Sequence, residues 1–329
     1  MMRGYVSAVT ASLPQEVRDA FASFITCEYV TIGSHQQPIV WPVTPFYENG
    51  APCIDVTTGL GYPKKALDAK RNPQVALLFS DPTGSGIGSG INVLVQGMGD
   101  VDDRDLPANR ERYRRECAEK LPAAKDMYPP RPVRGLFDWY FTRIYVHVRP
   151  ERVFVWENGD VTTPPEILGS HMDEVRSGHS EEPLEPLAPA IGGDIAWDPR
   201  IEELARRDRT AVLGWVAPDG FPLAVRVPVR LDRTARRILL GGSPAGLPLA
   251  SGRACITAHS HSPDFRWHEN FQVRGDLVET DGGWALVPRK LVGGFELPDE
   301  SNAARYRRNA VKMLRLFRAA RRYMKSERI

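Results

Sequence analysis

Short apolar runs rich in β-branched residues recur along the whole chain and are separated by turn signals. One run covers residues 28–33, and another follows within residues 38–50. In the second half, residues 210–216 and 221–231 flank Pro218-Asp219-Gly220, and Asp-Gly between two apolar runs is typical of a β-hairpin. Because such runs are many and long helices are few, the pattern predicts antiparallel sheets that close into barrels.

The order of these runs in the first half is repeated in the second. Beyond the hairpins, the corresponding segments are CIDVTTG (53–59) with RILLGGS (237–243), VALLFSD (75–81) with CITAHSH (255–261), NVLVQGMGDVD (92–102) with FQVRGDLVE (271–279), and VRPERVFVW (148–156) with LVPRKLVGG (286–294). Proline and acidic residues are concentrated between the repeats, as is typical of a linker. We therefore predict a mainly β protein with peripheral helices: a barrel at 1–163, a linker at 164–190, and a second barrel with a C-terminal helix at 191–329.

Residues 57–65, which we call the cradle, carry the strongest chemical signal of the chain. A β-branched run ends in Thr57 and Thr58, and a Gly-rich turn then presents Lys64 and Lys65 at the start of a helical segment. Hydroxyls, glycines and paired cations suit a phosphate, because backbone N–H groups approach it closely and positive charge neutralises it. The helix dipole adds to this attraction. The alternative interpretation is a lysine pair that is merely exposed to solvent.

Composition narrows the class of protein. The length of 329 residues suggests two domains, and 42% hydrophobic with 26% charged residues are the proportions of an ordinary globular protein. No run approaches the roughly 20 apolar residues of a membrane helix, and the N-terminus shows no signal-peptide pattern. The scattered cysteines form no CxxC pair, which favours buried thiols in a reducing compartment. We therefore expect a cytoplasmic protein.

The net charge of +2 is unevenly distributed. The segment 301–329 holds ten Lys or Arg residues and one acidic residue, and its apolar residues recur at helical spacing. This pattern predicts a basic amphipathic helix. Three interpretations remain open: the helix docks on a barrel with its basic face in solvent, it overhangs the cradle and attracts an anionic group, or it binds nucleic acid or a membrane surface.

The ordered set of elements resembles the flavin- and deazaflavin-binding split β-barrel superfamily, which includes the pyridoxamine-phosphate-oxidase-like proteins. The resemblance rests on a hairpin with prolines in its second strand, threonines followed by a turn and Lys65, then Asn72-Pro73, VALLF, NVLVQG and RIYVHVRPERVFVW. It implies two tandem FMN-binding-like split β-barrels and a phosphorylated cofactor, either the deazaflavin coenzyme F-420 or FMN. The cofactor-binding residues that it implies are Thr57, Thr58, Lys64 and Lys65 for the phosphate, Pro42, Val43 and Thr44 for the ring edge, and Asn92 for a further contact.

The second half departs from the first at the cradle. Pro244 and Ala245 stand where the first half has its lysine pair, so a phosphate there would lack a neutralising cation. The resemblance implies an active site between two barrels, and we therefore expect an intrachain pseudo-dimer with one working and one vestigial site. A homodimer is a further option. The candidates to line the working site, unless they form an ordinary surface loop, are Phe265, Arg266, Trp267 and His268.

These observations together predict an oxidoreductase that transfers a hydride between a flavin-type cofactor and a small unsaturated organic substrate. A ring that itself carries the hydride needs only a shaped slot and a phosphate anchor, so no catalytic residue is assigned. His259 and His261 lack a converging set of further ligands in the sequence, and no metal is expected. The alternatives are a non-catalytic protein that binds or sequesters flavin, haem or a tetrapyrrole, and a regulatory or structural module without a ligand. We expect neither nucleic acid nor a membrane as partner.

Overall fold

Strands alternate with short helices in the first half of the chain. The computed structural model describes residues 13–88, 90–121, 123, 135, 137–169, 188–206, 209–293 and 302–326. The elements of the first half are α1 (Gln15–Ser23), β1 (Cys27–Ile32), β2 (Pro38–Val43), β3 (Ile54–Gly59), α2 (Lys64–Arg71), β4 (Gln74–Phe79), β5 (Asn92–Asp102), α3 (Leu106–Lys120), α4 (Asp138–Phe141), β6 (Arg143–Trp156) and β7 (Glu166–Gly169).

The second half opens with a short helix and ends with a long one. Its elements are α5 (Ile201–Arg206), β8 (Thr210–Val216), β9 (Pro222–Asp232), β10 (Arg237–Leu240), β11 (Gly252–His261), β12 (His268–Thr280), β13 (Gly283–Gly293) and α6 (Asn302–Ser326). Strands β8 and β9 pair from Val216 and Pro222 outwards, so the hairpin predicted around Asp219-Gly220 is confirmed.

Both halves use the same strand order. The first sheet runs β2-β1-β4-β5-β6-β3, with β7 beside β6. The second runs β9-β8-β11-β12-β13-β10 and closes into a six-stranded barrel because β10 pairs with β9. In the first sheet the two ends approach each other through an isolated bridge between Phe46 and Asp55. The predicted fold class, mainly β with tandem split barrels and peripheral helices, is confirmed.

One bulge recurs at the same place in the two sheets. The register between β5 and β6 shifts at Gly97, opposite Pro150, and the register between β12 and β13 shifts at Gly275, opposite Pro288. A Cβ on either glycine would collide with the carbonyl oxygen just before the opposing proline. Only glycine fits such a close approach of two backbones. These glycines therefore align the two halves residue by residue.

The predicted linker begins within the first sheet. Residues 166–169 form β7, which pairs with β6 between Arg152 and Val155. The first sheet therefore extends beyond residue 163. The segment 170–187 lies outside the described residues.

The two halves pack mainly through β1, β2 and β4 of the first sheet and β8, β9 and β11 of the second. One apolar cluster spans both, and it includes Val30 and Val40 from the first half and Val225 from the second. The Val40 carbonyl also accepts hydrogen bonds from Thr257 Oγ1 (3.0 Å) and Gln272 Nε2 (2.8 Å). The second barrel thus covers the free edge of β2 at Val40, which would otherwise be open to pairing with another chain.

A buried charge cluster ties the halves together. The Glu28 side chain is 1% exposed, and its Oε1 lies 2.7 Å from Arg226 Nη2 and 2.6 Å from His259 Nε2. Ser80 donates a further hydrogen bond to the same oxygen (2.9 Å). Burial alone would raise the pKa of Glu28, but the hydrogen bond to His259 and the charge of Arg226 outweigh it and hold that pKa below its ordinary value. Glu28 is therefore ionised and bound to the second half at neutral pH.

Helix α6 docks on the first half. Ala320 and Tyr323 are buried in the first-half core, and Tyr323 donates a hydrogen bond to Asp103 Oδ2 (2.5 Å). Leu316 lies against the cradle, since a Cβ on Gly61 would be 3.0 Å from the Leu316 Cβ. The helix therefore docks on a barrel, which was the first of the three interpretations of its sequence. It also reaches the cradle. Among the side chains of this helix that the structure describes, the exposed basic residues are Arg315, Arg318, Arg321, Arg322 and Lys325.

We predict that Glu28→Gln lowers the free energy of unfolding by about 3 kcal/mol, because it leaves the buried Arg226 without its counter-ion. Urea denaturation measures the change. Glu202→Gln is the matched control: Glu202 pairs with Arg233, whose side chain is 62% exposed, and such pairs contribute about 0–1 kcal/mol. Equal effects of the two substitutions would contradict a stabilising role of the cluster.

Candidate functional site

The cradle begins where β3 ends. Gly59, the last residue of β3, pairs with Arg143 at the start of β6. Thr58 is buried and its hydroxyl donates a hydrogen bond to the Tyr62 carbonyl oxygen (2.7 Å), so this hydroxyl fixes the turn. Thr57 is partly buried and lies on the opposite face of the strand from Thr58. The two predicted threonine ligands therefore do not act together on one group.

The two lysines of the cradle differ in their surroundings. Lys64 is exposed, and its Nζ pairs with both carboxylate oxygens of Asp68 one turn later (3.0 and 2.9 Å). Lys65 is partly buried, and within the described part of the chain it forms neither a hydrogen bond nor an ion pair. No side chain caps α2, whose N-cap residue is Pro63, so the first N–H groups of the helix are open to an acceptor. Of the pair, Lys65 is the candidate ligand.

Arg143 is a second cation at this place, which sequence reasoning missed. A side chain at Gly59 would collide with Nη1 of Arg143. The guanidinium donates to Tyr113 Oη (3.1 Å), and its central carbon lies 4.4 and 5.4 Å from the ring centroids of Tyr113 and Tyr140. No carboxylate of the described residues pairs with it, and its Nε is buried without a partner. In the sequence, Arg143 follows several aromatic residues and begins an apolar strand. That context predicts a side chain in the hydrophobic core.

Lys65 and Arg143 are like charges that interact with each other. Burial and, to a smaller extent, the positive charge of Arg143 lower the pKa of Lys65 to about 8. Two cations without a counter-ion repel each other, and an anion between them removes the repulsion. With the uncapped start of α2, the two side chains make up the candidate anion site.

The three predicted ring-edge residues lie at the end of β2. Val43 is opposite Cys27 of β1 and buried in the first-half core. Because the Val40 carbonyl faces the second half, the alternation of the strand places the Thr44 N–H on that same free edge and the Val43 N–H against β1. Pro42 lies on the free edge too, where its missing N–H breaks no ladder bond. Pro42 and Thr44 are thus available to a ligand, whereas the Val43 N–H is not.

Asn92 lies away from the cradle. It begins β5 opposite Trp156, at the far end of β6 from Arg143, and its amide donates a hydrogen bond to the Gly159 carbonyl (2.9 Å). Its equivalent in the second half is Asn270, because each asparagine stands five residues before a bulge glycine. The structure therefore does not bring Asn92 together with Lys65. Its equivalent in the second half, Asn270, is the other candidate for a contact with a ligand.

The second half reaches the first through the loop 262–267 and the start of β12. Phe265 packs against the apolar cluster that includes Phe46, and Tyr113 packs against the same cluster. The Phe265 ring centroid lies 5.3 Å from that of His268. Burial and the nearby positive charges, among them Lys65, lower the pKa of His268 to about 3. Phe265 and His268 therefore face the first half, whereas Arg266 is exposed.

The chain itself covers the corresponding turn of the second half. Ala245 donates its backbone N–H to the Val161 carbonyl (3.0 Å). A Cβ on Gly242 would lie 3.2 Å from the Thr162 side chain. This turn has no lysine at Pro244 or Ala245, so it lacks the charge of the cradle.

Neither a metal centre nor a membrane span is found within the described parts of the chain. Those residues contain no group of three or more His, Cys, Asp or Glu side chains that could hold a metal ion. His259 is instead bonded to Glu28, and His261 lies 3.1 Å from Thr26 Oγ1. The described helices include none with the length and apolar character needed to cross a bilayer.

Arg143→Met is expected to raise the pKa of Lys65 above about 8, because it removes the neighbouring like charge. Burial should still keep that pKa below the ordinary 10.5. Carbon-13 NMR titration of the lysine Cε signals measures it, with Lys65→Met to assign the signal. Arg110→Met is the matched control, since Arg110 pairs with Asp138 and Glu111. If the pKa of Lys65 is the same in Arg143→Met as in the wild-type protein, the two cations do not interact.

No family model and no curated protein sequence matches this chain. Among solved structures, a conserved hypothetical protein of Mycobacterium tuberculosis is 18% identical over 51% of this chain and 99% of its own, with a TM-score of 0.34. A Clostridium acetobutylicum protein related to general stress protein 26, of the pyridoxinephosphate oxidase family, is 12% identical over 48% and 94% (TM-score 0.33). An F-420 reductase is 15% identical over 43% and 98% (TM-score 0.32).

Each of these similarities spans about half of the chain. The fold itself is defined by the strand order, the closed second barrel and the matching bulges at Gly97 and Gly275. On these grounds the chain has the split β-barrel fold, present in two copies.

Proposed function

We propose that this protein is an oxidoreductase that binds the phosphate of a flavin-type cofactor at the cradle of its first half. The observation that carries the proposal is the pair of interacting cations, Lys65 and Arg143, without a carboxylate partner in the described chain, of which Lys65 lies in the uncapped first turn of α2. Buried like charges are unfavourable unless a ligand neutralises them, and perturbed pKa values cluster at functional sites.

Three sets of groups would hold such a cofactor. Lys65, Arg143 and the first N–H groups of α2 would bind the phosphate. The ring edge would lie along the free edge of β2 at Pro42 and Thr44, next to the gap between β2 and β3. When bound, the flavin-type ring stores and donates the hydride, so the chain needs to supply no nucleophile.

We propose further that the second half takes the place of a second subunit at this site. Phe265 and His268 reach the side of the first half that carries Tyr113, the hydrogen-bond partner of Arg143. The second copy of the turn is covered by residues 161–162 and has no lysine. These observations support one cofactor site per chain, built from both halves.

Both FMN and the deazaflavin coenzyme F-420 carry the anionic group that the cradle would select. The exposed basic face of α6 favours F-420, because this helix packs against Gly61 of the cradle and the polyglutamate tail of that coenzyme is anionic. The substrate would be a small, planar, unsaturated compound able to accept or give a hydride.

We expect wild-type protein to bind one equivalent of F-420 or FMN per chain in a calorimetric titration. Lys65→Met should weaken binding by about 10- to 100-fold, because a hydrogen bond between charged partners contributes about 1.5–3 kcal/mol. Lys64→Met is the matched control: Lys64 is the adjacent residue but is paired with Asp68, so its loss should change affinity by less than about twofold. Two equivalents per chain, or equal losses in both variants, would contradict the proposed site.

The affinity of the wild-type protein should also fall as the pH rises from about 7 to 9. Below pH 8, Lys65 is charged before the anion binds, whereas above pH 8 it has lost its proton and must regain it on binding. Lys65→Met should lack this dependence. A wild-type affinity that does not change over this range would remove Lys65 from the site.

Binding without turnover would fit a protein that sequesters its cofactor, so a separate test is required. Under anaerobic conditions, we expect the protein to accelerate oxidation of reduced F-420 or reduced FMN by a small unsaturated acceptor such as a quinone. The absorbance of the oxidised ring reports the rate. One-to-one binding with no acceleration across a panel of such acceptors would favour the sequestering protein over the enzyme.

A further inference from the structure

His268 is held in a fixed position at the start of β12. It lies opposite His261 of β11, it is 6% exposed, and the Phe265 ring packs on it. The amide nitrogen of Asn270 is 2.6 Å from His268 Nε2. An amide N–H can only donate, so Nε2 accepts and the ring proton is on Nδ1.

The Nδ1–H of His268 has no acceptor among the described residues, and it is buried. Burying a donor without an acceptor costs about 1–3 kcal/mol. An unpaired buried polar group in a native structure calls for an explanation, such as a bound water or a ligand. Because burial lowers the pKa of His268 to about 3, the imidazole is neutral at physiological pH and adds no charge to that of Lys65.

The other two histidines of this region are engaged in contacts within the protein. His261 lies 3.1 Å from Thr26 Oγ1 through Nε2 and 3.0 Å from the Ser262 carbonyl through Nδ1. His259 contacts Glu28 and Arg226 through Nε2, and its buried Nδ1 has no hydrogen-bond partner but lies 3.9 Å from the Asp81 carboxylate. His268 differs from His261 because one of its nitrogens is unpaired, and from His259 because no carboxylate lies near that nitrogen among the described ion pairs.

His268 also lies on the side of the second half that faces the cradle. The charge of Lys65 affects its titration. Phe265 packs on His268 and on the cluster that contains Tyr113, which in turn binds Arg143. A ligand whose anionic end lies between Lys65 and Arg143 would therefore extend towards this imidazole.

We propose that His268 is a ligand-binding residue that the second half contributes to the site, and that its Nδ1–H donates a hydrogen bond to a carbonyl oxygen or ring nitrogen of the flavin-type ring. Asn270 acts as its positioning residue by fixing the tautomer. The inference rests on the proposed function, since it requires a ring to be bound with its phosphate at the cradle. It assigns recognition of the phosphate to the first half and recognition of the ring to the second.

The test separates ring binding from phosphate binding. FMN and riboflavin share a ring, and only FMN carries the phosphate; F-420 and its phosphate-free chromophore form the equivalent pair. His268→Phe keeps an aromatic ring but removes the N–H donor. It should lower the affinity for FMN and the affinity for riboflavin by the same factor, about threefold to tenfold, because one neutral hydrogen bond is lost. Lys65→Met should instead lower the affinity for FMN and leave the affinity for riboflavin unchanged.

Two further variants keep the test independent of folding. His268→Gln retains an N–H donor and should recover most of the lost affinity. His261→Gln alters a neighbouring histidine whose two nitrogens are both engaged, and it should leave affinity for the ring unchanged. In wild-type protein, the His268 Nδ1–H proton resonance should shift on addition of riboflavin.

The outcomes distinguish this inference from the proposed function. If wild-type protein binds FMN and F-420 but His268→Phe binds FMN and riboflavin as tightly, the unpaired nitrogen serves only a buried water, and the role of His268 is overturned alone. If wild-type protein binds none of the ring compounds, the proposed function fails and the role of His268 fails with it.

Discussion

Two interacting cations without a carboxylate partner in the described chain are the constraint on which the candidate site depends. Lys65 comes from the start of α2 and Arg143 from the start of β6, which pairs with Gly59 at the end of β3. Burial and the like charge of Arg143 lower the pKa of Lys65 to about 8, so the charged form of Lys65 is disfavoured. Ionisable groups with perturbed pKa values cluster at functional sites. An anion site is the simplest arrangement that makes the pair favourable.

The packing of the two halves determines what faces these cations. The free edge of β2 is covered by the second barrel at Val40, and the buried pair of Glu28 and Arg226 fixes the relative position of the halves. The same packing brings Phe265 and His268 to the first half. The interface therefore stabilises the fold, and it also places residues of the second half beside those of the first half that the proposed site would use.

Local patterns were sufficient to predict the strands and the helix that begins at Lys64. β-branched alternation and Asp219-Gly220 indicated the hairpin, and the run from Thr57 to Lys65 indicated an anion site at the start of a helix. The choice between Lys64 and Lys65 was not predictable, because it depends on the rotation of α2 against the barrel. Lys64 faces Asp68, while Lys65 faces the interior side.

The remaining parts of the site depend on contacts between distant segments. Arg143 follows a row of aromatic residues, so its strand suggested core, and only the pairing with Gly59 places it at the cradle. Asn92 and Asn270 occupy equivalent positions in the repeat, and the sequence does not say which of them faces the working site. That depends on how the halves pack. The cover of the second turn by residues 161–162 also arises from tertiary packing.

A crystal structure of the full chain with F-420 or FMN tests the central claim most directly. The phosphate should lie within hydrogen-bond distance, about 3 Å, of Lys65 Nζ and the Arg143 guanidinium, with the ring between the free edge of β2 and His268. Ligand density at the second-half turn around Gly242 and Ala245, or only on the basic face of α6, would contradict it.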